Sequence, residues 1–368
     1  MPEECRQWQH SPILREHVYV GHNPRRLEHF VEWSNKKTWK HWGLAVIVNL
    51  GAAVVAALAF GVWQRFQSPQ NAANVSHKAG GFYELVDDVG YIPKANAQMT
   101  RAEVEGRRTI NDVVYTTGPD HFRIVPEGTE TPDACVLLFG DSFTFGDGVS
   151  DEETYAAQIV KRSGRRVAAQ NFAVSGWGPH QFLAGLQSGL FQRAVRCRPT
   201  DAVFLMVPSL IWRASGVTNP WDTNGPCYRL GADGRPVRDG ALGDPDPYNW
   251  RRWIGLNPIS KGQASRLATA VVVAAMRELK RLYPGIRTHF ISYRVASWSD
   301  SDFSSEDLAA FEYDLQQAGV MPLPLEAIIP RYRFALSDYI LGATDYHPNA
   351  RAHRLIAEFI LREIRRDQ

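Results

Sequence analysis

The residues Cys135-Val136-Leu137-Leu138-Phe139 form an apolar run of strand length that ends abruptly in Gly140-Asp141-Ser142. In a parallel α/β sheet the chemistry gathers at the carboxyl ends of the strands. Gly140 allows a tight turn there that a β-carbon would obstruct. Ser142 is thus a candidate nucleophile presented at the mouth of a sheet. A serine hydroxyl is weak alone and needs a base that is itself oriented by a third group. Far downstream, Asp345-Tyr346-His347 supplies that pair, with His347 as base and Asp345 as the group that steadies its ring. Each residue also has a plainer role available. Ser142 could cap a helix, Asp345 could shape the turn before Pro348, and His353 competes with His347 but is expected inside the last helix, pointing elsewhere.

Gly140-Asp141-Ser142, taken with Asp345-x-His347-Pro348-Asn349 near the end of the chain, resembles the SGNH (GDSL-type) hydrolase superfamily over residues 132–368. The ordered pair is the specific part, because Gly-Asp-Ser alone arises often by chance. The resemblance implies a three-layer, flavodoxin-like parallel sheet and an oxyanion hole. Its donors would be the Ser142 backbone N–H and Gly176, in Asn171-Phe172-Ala173-Val174-Ser175-Gly176, which matches the family's second block. Two departures stand out. The family more often spaces the pair Asp-x-x-His, and the single intervening Tyr346 is similar to branches resembling periplasmic polysaccharide O-acetyltransferases. The family's third block offers an Asn after a strand, whereas here Pro208-Ser209-Leu210-Ile211-Trp212-Arg213 contains none. Ser209 or Arg213 must substitute if the site is to be strong.

The elements that would carry these residues follow from patterning. From Asp133 onward strands and helices alternate, the signature of a parallel sheet covered on its faces. Strands are expected at Val167–Asn171, Ala202–Val207 and His289–Tyr293. Ser150-Asp151-Glu152-Glu153 has capping-box spacing for a helix bearing Tyr155, Ile159 and Val160 and stopped at Gly164. Further helices are expected from His180 to Val195, around 264–283, around 305–318, and at the carboxyl end with Leu355, Ile356, Phe359, Ile360 and Ile364 on one face. Between Pro208 and Lys261 lies a long insertion with Trp212, Trp221, Trp250 and Trp253. Long irregular segments are commonly lids or binding loops, but tryptophans are more often packing anchors, and that reading is preferred. Residues 82–131 read as a small β-rich lead-in. Val113–Thr117 is a strand, Gly118-Pro119-Asp120 a turn, and Phe122-Arg123-Ile124 a second strand.

Ahead of this, residues 42–64 form an uncharged apolar run of the ~20 residues needed to cross a bilayer. Trp42 and Trp63 bracket it as interfacial aromatics do. Arg25, Arg26, Lys36, Lys37 and Lys40 precede it, while only Arg65 and Lys78 follow within a similar distance. The positive-inside rule therefore places residues 1–41 in the cytoplasm. Residues 65–81 are a linker, and the large carboxyl-terminal domain is expected in the periplasm or outside the cell.

The overall composition excludes more than it assigns. Forty-one basic and 39 acidic residues leave a net charge of +2, so no nucleic-acid partner is indicated. Four cysteines are too few for a disulfide scaffold. Cys197 and Cys227 could pair on the oxidising side, with Cys135 as a competitor better read as a reduced core thiol and Cys5 cytoplasmic. No spacing suggests a metal site, and no cofactor is expected. The expectation is a membrane-anchored SGNH-type hydrolase or acyltransferase acting on O-acyl, chiefly acetyl, esters of a carbohydrate through an acyl-serine. The alternatives are a catalytically weak SGNH-like subunit of a membrane-protein complex and a lipid esterase.

Overall fold

The computed structural model describes residues 46–53, 55–56, 81–105, 108–217, 221–244, 259–294, 303–342 and 345–366. The chain divides into two compact units, Met1–Val62 and Trp63–Gln368. In the first, residues 46–53 and 55–56 are helical and exposed. Among the described residues no helix is long and apolar enough to cross a membrane. The remainder of the expected span at 42–64, segment 1–41, Cys5 and nearly all of the linker lie outside the described residues, as do Trp250 and Trp253.

The second unit begins with two antiparallel hairpins. Strand β1 (Tyr83–Val86) pairs with β2 (Gly90–Pro93), and β3 (Gln98–Glu105) with β4 (Arg108–Thr116). The latter contains the strand expected near Val113. Gly118-Pro119-Asp120 forms the expected turn, with the Gly118 N–H donating to Phe122 O at 2.9 Å. The strand expected at Phe122-Arg123-Ile124 is not one, since Arg123 makes only isolated bridges to Thr117 and Asn171. Its side chain, fully buried, is committed inward to backbone carbonyls, so the segment cannot run on as a regular strand. Phe82, Val113 and Tyr115 pack with Phe145 and Ala173 in a small cluster of their own.

The main sheet takes β5 (Ala134–Phe139), β6 (Val167–Asn171) and β7 (Asp201–Met206). After a hairpin of β8 (Pro226–Leu230) and β9 (Pro236–Ala241), it adds β10 (Arg287–Ser292) and β11 (Pro322–Pro324). Five of these run parallel in the order β11-β10-β7-β5-β6. Numbered within the sheet, that is the flavodoxin-like order 2-1-3-4-5, whose reversal of winding lies between β5 and β7. Every residue of β5 and β7 is buried, as central strands covered on both faces require. Helix Tyr155–Arg162 packs with Ala350–Arg366, while Pro179–Gln187 packs with Lys261–Leu282 and the latter with Ser305–Gln317. The two helical layers expected of an α/β sandwich are therefore present.

Several elements differ from the expected ones for local reasons. The Ser150 capping box opens a single 3-10 turn, Asp151–Glu153, and the helix proper starts at Tyr155, where Thr154 Oγ1 accepts the Ala157 N–H. The helix expected from His180 to Val195 is two helices, Pro179–Gln187 and Leu190–Ala194, separated at Gly189, whose φ is +77°. Segment 208–261 is not structureless. It carries the helix Ser209–Arg213 and the β8–β9 hairpin. Trp212 is buried with its ring 5.2 Å from Phe303, the packing role preferred above.

The cysteine pairing also differs. Cys135 is bonded to Cys197, with Cα atoms 6.0 Å apart, and Cys227 lies on β8 outside that bond. Cys135 is the second residue of β5 and Cys197 lies just before β7, and these strands are neighbours. Adjacency in the sheet, not proximity in sequence, brings the two sulfurs together.

Candidate active site

Ser142 is the first residue of a single helical turn, Ser142–Phe145, that follows β5 at the switch point of the sheet. Gly140 is required by crowding. A β-carbon there would lie 1.8 Å from Thr144 Oγ1. Asp141 is fully buried and caps the turn, its Oδ1 accepting the Phe143 N–H at 3.0 Å. The far end is held from outside. Arg123 donates to Phe145 O, Gly146 O and Val149 O at 2.7–2.8 Å and pairs with Asp151 at 2.8 Å. Asn171 Nδ2 donates to Thr144 O at 3.0 Å. A turn this short has no stability of its own, so these bonds fix where the Ser142 hydroxyl stands.

His347 and Asp345 arrive on the loop before the last helix. His347 Nε2 lies 2.8 Å from Ser142 Oγ, and Nδ1 lies 2.6 Å from Asp345 Oδ1. The His347 backbone N–H also donates to Asp345 Oδ1, at 3.0 Å. Burial alone would push the Asp345 carboxyl up, but hydrogen bonds from His347 and the charges of His347 and Arg101 bring it down to about 2. An ionised carboxylate can only accept, so Nδ1 carries the proton and Nε2 offers its lone pair to the serine. Burial disfavours a charged imidazole. The bond to Asp345 and the charges of Asp147, Asp345 and Asp141 outweigh it, and the His347 pKa is raised. His353 is not a rival. It sits in the last helix, fully buried, with Nδ1 accepting the Tyr155 N–H at 3.1 Å, and burial drops its pKa to about 3.

The two oxyanion candidates both lie just beyond the carboxyl ends of strands, Ser142 at the start of its helical turn and Gly176 on a loop. As first residue of its helical turn, Ser142 has no preceding helical carbonyl to engage its N–H. Gly176 follows β6 with φ +86°, and a β-carbon would stand 2.5 Å from the Tyr91 hydroxyl and 2.9 Å from Trp221 Nε1. Its neighbour Ser175 donates Oγ–H to Asp147 Oδ1 at 2.7 Å, tying the Gly176 loop to the segment after Ser142. Of Ser209 and Arg213, the two residues expected to stand for the absent Asn, Arg213 reaches the motif. Its Nη1 lies 3.2 Å from both Asp141 Oδ2 and Trp177 O. It steadies Asp141, the residue before Ser142, rather than Ser142 itself. Burial raises the Asp141 pKa, and Arg213 works against that.

Patterning missed Arg101, Asp147, Arg123 and Asn171. Arg101 Nη2 donates to Asp345 Oδ2 at 2.7 Å from the β3–β4 hairpin. Arg101, Asp147 and Arg123 stand in no motif, and Asn171 opens the block that ends in Gly176 without having been given a role. Only a hydrophobic strand ending in a polar Asn171 hinted that one of them turns toward the sheet's carboxyl end. Among the described residues no group of three or more His, Cys, Asp or Glu is placed to hold a metal.

No family model and no curated protein matches the chain. Among solved structures, a member of the lipolytic G-D-S-L family from Veillonella parvula aligns at 16% identity and TM-score 0.36, covering 62% of this chain and 97% of its own. A psychrotrophic esterase from Pseudoalteromonas sp. aligns at 15% and 0.37, over 64% and 98%. A catalytic mutant of an acetylxylan esterase from Geobacillus stearothermophilus aligns at 14% and 0.38, over 64% and 95%. Likenesses of that size carry no argument, so what the site can do rests on its own distances.

Proposed function

We propose that the chain is an SGNH-type serine hydrolase or acyltransferase acting on O-acyl, chiefly acetyl, esters of a carbohydrate. It would be anchored in the cytoplasmic membrane by residues 42–64, with the catalytic domain outside the cytoplasm. The observation that carries the chemistry is the continuous line Ser142 Oγ, His347 Nε2, His347 Nδ1, Asp345 Oδ1, with separations of 2.8 and 2.6 Å. Both lie within the reach that proton transfer needs.

In the first half-reaction Ser142 Oγ attacks the ester carbonyl carbon as its proton passes to His347 Nε2. The carbonyl oxygen becomes an oxyanion, which the N–H groups of Ser142 and Gly176 receive. Asp345 stabilises the imidazolium so formed. The carbon–alkoxide bond then breaks, His347 returns the proton to the departing alcohol, and the acyl group stays on Ser142. In the second half-reaction water or a sugar hydroxyl gives its proton to His347 and attacks the acyl carbon. Ser142 leaves with the proton from His347, and the product is a free acid or a new ester. Each oxyanion donor is worth on the order of 10²–10³ in rate.

The uncharged, mainly apolar run at 42–64 and the basic residues before it support the anchoring and orientation. The Cys135–Cys197 bond supports a compartment that is oxidising. The short Asp-x-His spacing, similar to the O-acetyltransferase branch, supports a sugar ester. The subunit alternative draws on the absent Asn; the hydrogen-bonded line through Ser142, His347 and Asp345 supports the enzyme reading instead.

The test uses the full-length chain in detergent, a fluorophosphonate and a simple acetyl ester. The wild-type chain is expected to form a Ser142 adduct and to hydrolyse the ester, and Ser142→Ala to do neither. Equal labelling and hydrolysis by the alanine variant would sink the mechanism. A wild-type chain that neither labels nor hydrolyses, yet co-purifies in fixed ratio with other membrane proteins, would favour the subunit.

A further inference from the structure

Asp345 uses only one oxygen for His347. Its Oδ1 receives both the ring and the backbone N–H of His347. The other oxygen, Oδ2, receives Arg101 Nη2 at 2.7 Å, and Arg101 Nη1 lies 3.9 Å from Asp147 Oδ2. Arg101 belongs to β3, a strand outside the catalytic sheet. Its hairpin is seated against the nucleophile's turn, because Val113 and Tyr115 pack on Phe145 and Ala173. The Tyr115 hydroxyl also accepts the Gly148 N–H at 2.6 Å. The lead-in segment thus reaches the site by two routes, an apolar seat under the turn and a guanidinium on the acid.

We propose that Arg101 is a positioning residue of the active site: it grips the Asp345 oxygen that His347 leaves unused, and its charge offsets the acids that face His347. The inference rests on the serine-enzyme reading. Two arguments support it. A carboxylate held at one oxygen can rotate about its last bond, whereas donors on both oxygens fix its plane and so the ring it steadies. The second is electrostatic. His347 is faced by Asp345 on its own loop, by Asp147 after the nucleophile's turn and by Asp141 before it. Buried His353 lies beyond Tyr155 with its pKa lowered to about 3, so it brings no charge near neutrality. Arg213 answers Asp141. Arg101, between Asp345 and Asp147, is the cation that answers the other two. Without it, unopposed acids would hold the imidazolium and leave less free base to take the serine proton. At 33% exposure its side chain is open enough to solvent that its effect is partial.

The second-order rate of Ser142 phosphonylation by a fluorophosphonate, followed across the neutral range with the full-length chain in detergent, reads this directly. Arg101→Gln keeps a donor for Oδ2 and removes the charge. It is expected to move the midpoint of the acid limb upward by about half a unit or more. Arg101→Lys keeps the charge without the planar fork, so its limb should stay near wild type while the plateau falls. An Arg101→Gln chain that melts like wild type and shows an unmoved limb overturns the proposal. If that variant does not fold, Arg101→Lys decides, and wild-type limb and plateau together overturn it. Ser142→Ala separates the two readings: labelling that survives it removes the serine-enzyme reading. Labelling that vanishes with it, beside an unmoved Arg101→Gln limb, removes only the role of Arg101.

Discussion

His347 Nε2 and the Ser142 hydroxyl stand 2.8 Å apart although 205 positions of sequence separate them. The first sits on the loop entering the last helix, the second on the turn leaving β5. Asn349 anchors that loop, donating Nδ2–H to Ile340 O at 3.0 Å and Asp338 O at 3.1 Å, with its Oδ1 accepting the Ala352 N–H at the helix start. The loop that carries His347 is therefore held by a cap built into the sequence that follows it.

Replacing Asp345 with Asn should leave the fold intact and slow acyl transfer by on the order of 10³–10⁴. An amide can present a donor where Oδ1 now accepts, and the ring then turns its proton toward the serine. Steady-state hydrolysis of an acetyl ester, with circular dichroism to confirm folding, checks this. A loss of less than tenfold would mean that the carboxylate is not what fixes the tautomer.

The pH dependence of kcat/KM should show its acid limb above the ordinary imidazole value of ~6.5, because the acids around His347 raise its pKa. The neutral ring is the working form, so activity rises with pH through that limb. Stability runs the other way. A group whose folded-state pKa exceeds its unfolded value contributes stability below the unfolded pKa and loses it as pH rises through the folded one. Asp345, depressed to about 2 from 3.8, contributes above 3.8 and loses its share as pH falls toward 2. Denaturant melts at several pH values and a pH–rate profile, measured on the same chain, should show activity and the His347 contribution moving in opposite directions. A limb at or below the ordinary imidazole value would contradict the site's electrostatics.

Replacing Cys135 and Cys197 together with Ala should cost ~2–4 kcal/mol, the typical worth of a disulfide. The bond spans 62 residues and ties the start of β5 to the chain before β7. Urea melts of the variant, and of wild type with and without reductant, measure it. Reductant should weaken the wild type and leave the variant unchanged. The double variant should keep Ser142 labelling, because the bond lies at the amino ends of these strands and the site at their carboxyl ends. Loss of labelling in a folded variant would show that the bond shapes the site.

Much of this was legible in the chain because the signals are local. The apolar run before Gly140, the polar residues of a turn, and the Ser150 capping box, in which the Ser150 backbone N–H donates to Glu153 Oε2, report on neighbours a few residues away. The positions of β5, β6, β7 and β10 follow within two residues for that reason. The break at Gly189 and the hairpin inside 208–261 were less visible. A helical face tolerates one glycine, and β8–β9 alternates poorly because the hairpin is exposed along much of its length. Arg123 shows a further kind of failure. Flanked by Phe122 and Ile124 it reads as strand, yet its guanidinium is committed to carbonyls of a turn 22 to 26 residues on.

By itself, then, the sequence determined which chemical groups exist, which local elements carry them and in what order along the chain, since these depend on side-chain type and short-range spacing. Tertiary structure alone decided that Cys135 meets Cys197 and not Cys227, that Arg213 turns to Asp141, and that Arg101 closes on the far side of Asp345. Those outcomes depend on which strands become neighbours, and strand adjacency is a property of the folded sheet that no spacing along the chain records.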